Sequence, residues 1–149
     1  WWLICVGLMW LLAQFWPGAR CEYGVFSGTA EDFAAFCMEM LKEHQRNHHM
    51  LGQHLIDFTG PDEAYGEVYY QAYHRVHDEA GAARDLFIAG RYVDRYERRG
   101  GVWKFAYRSE LVDWVRDEAA CDAMIETAPF ILGQRKPDDP LYDREAMKP

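Results

Sequence analysis

Of the residues in this chain that could do chemistry, His49 is the one best suited to move a proton. It stands in the run Asn47-His48-His49-Met50-Leu51. If that run is a strand, alternation sets His49, Leu51, Gln53 and Leu55 on one face. A neutral imidazole among apolar neighbours can take a proton near physiological pH. A hydrogen-bonded structural histidine is the competing reading. Arg108 is the second group, placed between Tyr107 and Ser109 in a segment otherwise rich in apolar and aromatic residues. Turned inward, an arginine needs an acid partner or an anionic ligand, and could stabilise a leaving anion or an enolate oxygen. Turned outward, it is a surface charge. Tyr69, Tyr73, Tyr92 and Asp94 form a third group, in which Tyr92 and Asp94 share a strand face. A phenol can polarise a carbonyl, and a carboxylate can orient a histidine or pair with Arg108. Packing alone would also explain strand tyrosines.

The six histidines, at 44, 48, 49, 54, 74 and 77, invite a metal reading. Adjacent His48 and His49 would point to opposite faces of a strand, however, and neither a facial triad nor H-E-x-x-H spacing is present. Metal binding is therefore not expected. The sequence has no phosphate-binding loop, dinucleotide fingerprint or nucleophile elbow. Whatever chemistry occurs is expected to use side chains without a cofactor.

These groups need elements to hold them. Residues 1–15 read as a helix stopped by Pro17 and Gly18. Arg20–Phe26 reads as a short extended piece. Thr29, with Asp32 three residues on, resembles a capping box and opens a second helix running to about His44. Its apolar face is Phe33, Phe36, Cys37, Met40 and Leu41. Four strand-like segments follow: Asn47–Phe58, Ala64–His77, Asp85–Arg98 and Val102–Trp114. Thr59-Gly60-Pro61-Asp62 turns between the first two, and Arg99-Gly100-Gly101 makes a tight hairpin between the last two. Asp117–Ile125 reads as a short helix, and residues 134–149 as an extended charged tail. The expected fold is α+β: a strongly curved, mostly antiparallel sheet packed on N-terminal helices, with one domain over residues 1–133.

Composition bounds the partners. The 149 residues carry 16 basic and 24 acidic side chains, a net charge of −8 that disfavours nucleic acid. Aromatics make up 15%, enough to line a pocket for a small apolar molecule or to fill a core. The four cysteines are widely spaced with no C-x-x-C pair, as expected of reduced thiols in a cytoplasmic protein. Trp1 to Trp16 carries no charge, yet this run is too short for a comfortable membrane span and lacks the basic leader of a signal peptide. A buried helix, a targeting remnant and an altered segment all remain open for it, and no membrane role is expected.

Several segments together resemble the SnoaL-like branch of the nuclear transport factor 2-like superfamily. They are Asn47-His48-His49-Met50-Leu51-Gly52-Gln53-His54-Leu55-Ile56-Asp57, Gly90-Arg91-Tyr92-Val93-Asp94-Arg95-Tyr96-Glu97-Arg98 and Gly101-Val102-Trp103-Lys104-Phe105-Ala106-Tyr107-Arg108. Phe15-Trp16-Pro17-Gly18-Ala19, Tyr23-Gly24, Gly28 and the late Asp138-Asp139-Pro140-Leu141-Tyr142 fit the same pattern, so the likeness covers about residues 10–145. The resemblance implies a cone-shaped barrel around a deep apolar pocket, and a homodimer or homotrimer. Members include polyketide cyclases, scytalone dehydratase, steroid isomerases and lindane dehydrochlorinase, and the β subunits of ring-hydroxylating dioxygenases share the fold. By this likeness His49 falls on the base of the family's His–Asp dyad, Arg108 on its pocket arginine and Tyr92 on a pocket aromatic. Trp16, Tyr23, Gln53, Tyr69 and Asp94 would then contact substrate. The implied activity is that of a lyase or isomerase of the dehydratase kind, acting on an apolar ring compound. One departure stands out: the dyad's aspartate position is Ile4 here, and a second acidic position in the same helix is Gly7. A binding protein without turnover is therefore the alternative.

Overall fold

Alternation in the longest strands decides which residues meet in the middle of the molecule. The computed structural model describes residues 9–134 and 138–148. Its strands are β1 (Phe15–Glu22), β2 (Ser27–Thr29), β3 (Arg46–Phe58), β4 (Glu63–His77), β5 (Ala83–Arg99) and β6 (Val102–Ala119). The helices are α1 (Ala30–Lys42) and the short α2 (Met124–Thr127). In β4 the even positions Ala64, Val68, Tyr70, Ala72 and His74 are buried, while Tyr65, Tyr69 and Gln71 are exposed. The six strands form one sheet in the order β2-β1-β6-β5-β4-β3, antiparallel except where β1 runs parallel to β6. The sheet is curved and its two edges do not meet. The expected α+β class and mostly antiparallel meander are both present.

Helix α1 lies on the inner face beside β1. Thr29 Oγ1 accepts from the Asp32 amide at 3.1 Å and donates to the Asp32 carboxylate at 2.7 Å, so the near capping box is formed. Phe33 and Ala34 of this helix are buried, and one core cluster joins Phe33 and Ala30 to Phe15, Ala19 and Cys21 of β1. A second cluster, Val68, Tyr70, Ala72 and Tyr92, lies on the inner face of β4 and β5, and Tyr23 packs against both clusters. Burying these aromatic side chains gives most of the packing free energy, on the order of 2–3 kcal/mol each.

Three expectations need correction. The first extended piece starts at Phe15 rather than Arg20. The helical residues do end ahead of Pro17, and the strand accommodates this proline because β1 is unpaired with β6 between Phe15 and Arg20, so no ladder bond is lost there. Next, β6 continues past Trp114 to Ala119, each residue from Val115 finding a β5 partner, so the helix expected over Asp117–Ile125 shrinks to α2. Finally, simple alternation fails in β3. Leu51 pairs with Tyr70 and His54 with Val68, two residues facing one across the ladder. His49 and Leu51 therefore share the inner face with His54, Ile56 and Phe58, whereas Leu55 pairs with Glu67 on the outer face and Gln53 sits in the irregular turn of the strand. The helix expected over residues 1–15 is described only for residues 9–13, and Ile4 and Gly7 lie outside the described residues.

A second register shift falls at Ala89/Gly90, where β6 carries one extra residue. A Cβ on Gly90 would stand 2.0 Å from the Leu111 carbonyl oxygen and 3.0 Å from Val112 Cα, both backbone. Neither can move without opening the ladder. Gly90→Ala should therefore lower stability by about 1–3 kcal/mol, read as a shift in the urea midpoint at constant slope.

Candidate active site

The inner face of the sheet carries two polar groupings separated by an aromatic wall. The first grouping is at the β5–β6 end. Asp94 of β5 and Arg108 of β6 are register partners, and both point inward. Arg108 donates to Asp94 from Nε at 2.7 Å and from Nη2 at 2.8 Å. Asp94, 1% exposed, also accepts from the Tyr96 hydroxyl at 2.9 Å. The guanidinium carbon lies 4.2 Å from the Phe105 ring centre and 4.4 Å from that of Tyr92. Such a bidentate, ring-stacked pair fixes the arginine and neutralises it. Among the described residues Nη1 makes no hydrogen bond, so it and the second N–H of Nη2 are the donors that Arg108 could offer a ligand.

The wall is made of tyrosines. Tyr70 and Tyr92 stack with ring centres 4.5 Å apart and planes 15° apart. Tyr23 continues it, 6.2 Å from Tyr92, with its other side stacked on Phe33 of α1 at 4.0 Å. Burial pushes the Tyr92 hydroxyl up to about 12. Glu110, inward on β6, is register partner to Tyr92, and burial raises its carboxyl above the ordinary value. Cys21 and Cys37 lie close by, and burial raises their thiols to about 11 and about 12. Among the described residues Cys21, Cys37 and Cys121 are free thiols.

The second grouping is at the far edge. His49 of β3 faces Ala72, one inward position from His74 of β4. The His49 and His74 rings meet edge to face at 5.0 Å, and His44 meets His74 at 4.9 Å. Asn47 Oδ1 takes both His74 Nδ1, at 2.7 Å, and His44 Nδ1, at 2.8 Å. A carbonyl oxygen only accepts, so each ring presents its Nδ1–H to Asn47. Burial first, then His49 and His44, lower His74 to about 4. His49 is solvent-exposed, and its pKa is lowered by desolvation and by the neighbouring His48 and His44. The described residues place no carboxylate against it. Nor do they bring together three His, Cys, Asp or Glu side chains able to hold a metal ion.

A SnoaL-like domain model matches residues 10–109. The chain belongs to the SnoaL-like domain family. No curated protein matches it significantly. Among solved structures, this SnoaL-like chain is similar to hexachlorocyclohexane dehydrochlorinase LinA-type3 from Novosphingobium barchaimii, with TM-score 0.68, 19% identity and coverage of 80% of this chain and 82% of that one. A candidate scytalone dehydratase from Novosphingobium aromaticivorans gives TM-score 0.64 and 23% identity over 80% of each chain. The β subunit of a candidate aromatic-ring-hydroxylating dioxygenase from the same species gives 0.56 and 22%, covering 76% of this chain and 81% of that one. These likenesses establish the nuclear transport factor 2-like fold.

In the SnoaL-like chain the residues singled out from sequence divide into groups. Tyr23, Tyr92, Asp94 and Arg108 come together around the interior strands β5 and β6, and His49 lies on the same face at the β3 edge of the sheet. Tyr69 does not join them: it is on the outer face, exposed, with Arg91 stacked 6.0 Å from its ring centre. Tyr73 is also outside, donating to Asp85 at 2.8 Å in a cluster with Arg75. Trp16 of β1 packs on the β5–β6 hairpin, where its indole donates to the Glu97 carbonyl at 2.9 Å and Arg99 and Lys104 cover its ring. Gln53 is displaced by the bulge. The site residues that sequence reasoning missed are Tyr70, His74 and Glu110. Even-numbered spacing from Val68 and Ala72 picks Tyr70 over Tyr69 and carries on to His74, and Glu110 is the next inward position after Arg108.

No helix among the described residues is long and apolar enough to cross a membrane. The inner face is not closed over either: Leu51 and Phe58 on β3 are more than half exposed.

Proposed function

We propose that the inner face acts on a small apolar ring compound as a cofactor-independent lyase or isomerase of the dehydratase kind, with His49 removing the proton. One observation carries this reading: His49 stands on the inner face as a neutral base at physiological pH, its ring set against His74. Arg108 Nη1 would stabilise the developing negative charge, with Tyr92 and Tyr23 as the apolar wall. The lyase names among the fold neighbours support the reaction class. Assembly as a homodimer or homotrimer belongs to the same reading. Its support is the outer sheet face, which leaves Tyr65, Tyr69, Leu111 and Trp114 exposed.

The test is a screen of hydroxylated, halogenated and keto ring compounds, with mass spectrometry of each stabilising hit. A converted hit should lose about a hundredfold or more in turnover with His49→Ala, while binding is retained. Full turnover by that variant would remove His49 from the mechanism. A second reading is binding without conversion. It is favoured by the absence of a described carboxylate against His49 and by the neutralisation of Arg108 by Asp94. Hits that stabilise the protein and return unchanged would support it.

A further inference from the structure

A single copy of the chain leaves a strand edge and an apolar stretch exposed together. The edge is that of β3, the last strand of the sheet. Thr59 N donates to Glu63 O at 3.2 Å, so by alternation His54, Ile56 and Phe58 turn their N–H and C=O groups away from β4, toward the open side. Open edges are usually blunted by charge, proline or a covering element. The half of β3 beyond its bulge has no lysine, arginine or proline, one carboxylate at Asp57, and exposed Leu55, Ile56 and Phe58. The apolar stretch follows α2, which packs on no other described strand or helix. It is Ala128-Pro129-Phe130-Ile131-Leu132, uncharged and outside any strand, with Phe130 half exposed and Ile131 89% exposed.

We propose that two copies of this chain exchange these stretches, each laying Ala128–Leu132 antiparallel along the His54–Phe58 edge of the other, with Phe130 opposite Ile56 and Ile131 opposite Leu55. In that register Phe130 and Leu132 carry the ladder bonds. Pro129 stands opposite Asp57 at a position that needs no N–H. The Phe130 N–H gives up its tight turn to Ala128 O, 2.8 Å, for a bond in the ladder. Phe130 and Leu132 fall on the inner face beside Ile56 and Phe58, over the rim that one copy leaves open, and Ile131 falls on the outer face. The bulge explains why a short arm fits better than a second β3. Two such strands paired edge to edge would carry the bulge through the middle of the ladder, whereas five residues need only the regular half. One copy makes no backbone bond between this stretch and β3, and a two-fold exchange satisfies two edges at once. The half-exposed apolar side chains bring on the order of 100 Å² each. Two exchanges then bury roughly 1,000 Å² or more, the scale a specific dimer needs. This surface is separate from the outer sheet face and independent of turnover.

Cysteine cross-linking of the full chain tests it. Leu55 and Ile131 would face each other at a non-hydrogen-bonded position, where the Cα separation of about 4.5 Å suits a disulfide. With Cys5 and Cys121 replaced by serine, Leu55→Cys and Ile131→Cys are made in separate chains, mixed, unfolded, refolded together and oxidised. About half of the dimers should carry one cysteine of each kind and become covalent. Neither variant alone should link. The two substitutions in one chain should likewise link between chains rather than within one. By light scattering the wild type should have twice the 17.4 kDa chain mass. Ile131→Asp should be a monomer that melts like the wild type, since this side chain is exposed in the single copy. Trp114→Glu, on the outer face, should leave the arm-linked dimer intact. A monomeric wild type, no link in the mixture, or a link formed within the doubly substituted chain would overturn the exchange. A dimer that survives Ile131→Asp and is lost with Trp114→Glu would do so too, and would assign assembly to the outer face.

Discussion

Asp94→Ala should destabilise the protein by about 3–5 kcal/mol, because it leaves the Arg108 guanidinium buried without its counter-charge. Arg108 has only 13% of its side chain exposed and spends two nitrogens on Asp94. Removing the carboxylate also strands the Tyr96 hydroxyl. At about 2–4 °C per kcal/mol for a chain of this size, the melting temperature should fall by roughly 10 °C. The double variant Asp94→Leu with Arg108→Met should recover most of that loss, since swapping a whole buried pair for apolar residues is often neutral. A single variant that melts like the wild type would show that water reaches the pair. The double variant also separates stability from chemistry. If it is stable and turnover is lost, Arg108 acts on the ligand; if turnover survives, the pair is structural.

Acid should unfold the protein earlier than its carboxylates alone would dictate, and His74 is the cause. Its folded pKa of about 4 lies below the ordinary histidine value of 6.5. The unfolded chain therefore binds the proton first as pH falls. Stability contributed by the neutral ring is complete above 6.5 and is lost on the way down to about 4. Between pH 7 and pH 5 this amounts to about 2 kcal/mol. His49 shifts the same way and adds to the loss. Glu110 works in the opposite sense, its raised carboxyl favouring the fold as acid is added. Urea unfolding of wild type and His74→Leu at the two pH values isolates the His74 share, which should vanish in the variant. An equal loss in both proteins would refute the assignment.

How much of this could be read from sequence varies with the kind of signal. The four long strands, their two turns and the Thr29 cap follow from local chemistry that tertiary packing does not override. The Asp94–Arg108 partnership was legible as a possibility, since an inward arginine needs an acid, but only the register of β5 against β6 makes the two opposite each other. Tyr69 and Tyr70 are adjacent and identical in type, so residue type alone does not say which of them faces inward. The burial of Val68, Ala72 and His74 settles which of the two points inward. Gln53 was misplaced because a bulge adds a residue without any mark in the residue types around it. The length of β6 was underestimated for a different reason: Arg116, Asp117 and Glu118 are poor strand formers in isolation, held in the ladder by pairing with β5.

The extra residue between Leu51 and His54 has a consequence for how this strand tolerates change. A substitution at Gly52 or Gln53 alters one side chain. Deleting either residue would remove the bulge and restore one-to-one pairing with β4, and His54, Ile56 and Phe58 would stay on the inner face with His49 and Leu51. What would go is the local bend and added twist that the extra residue brings. A deletion at this point therefore straightens β3 without turning its side chains over, and a comparison with a strand that lacks the extra residue needs a gap there if His49 and Phe58 are to be matched with residues of the same orientation.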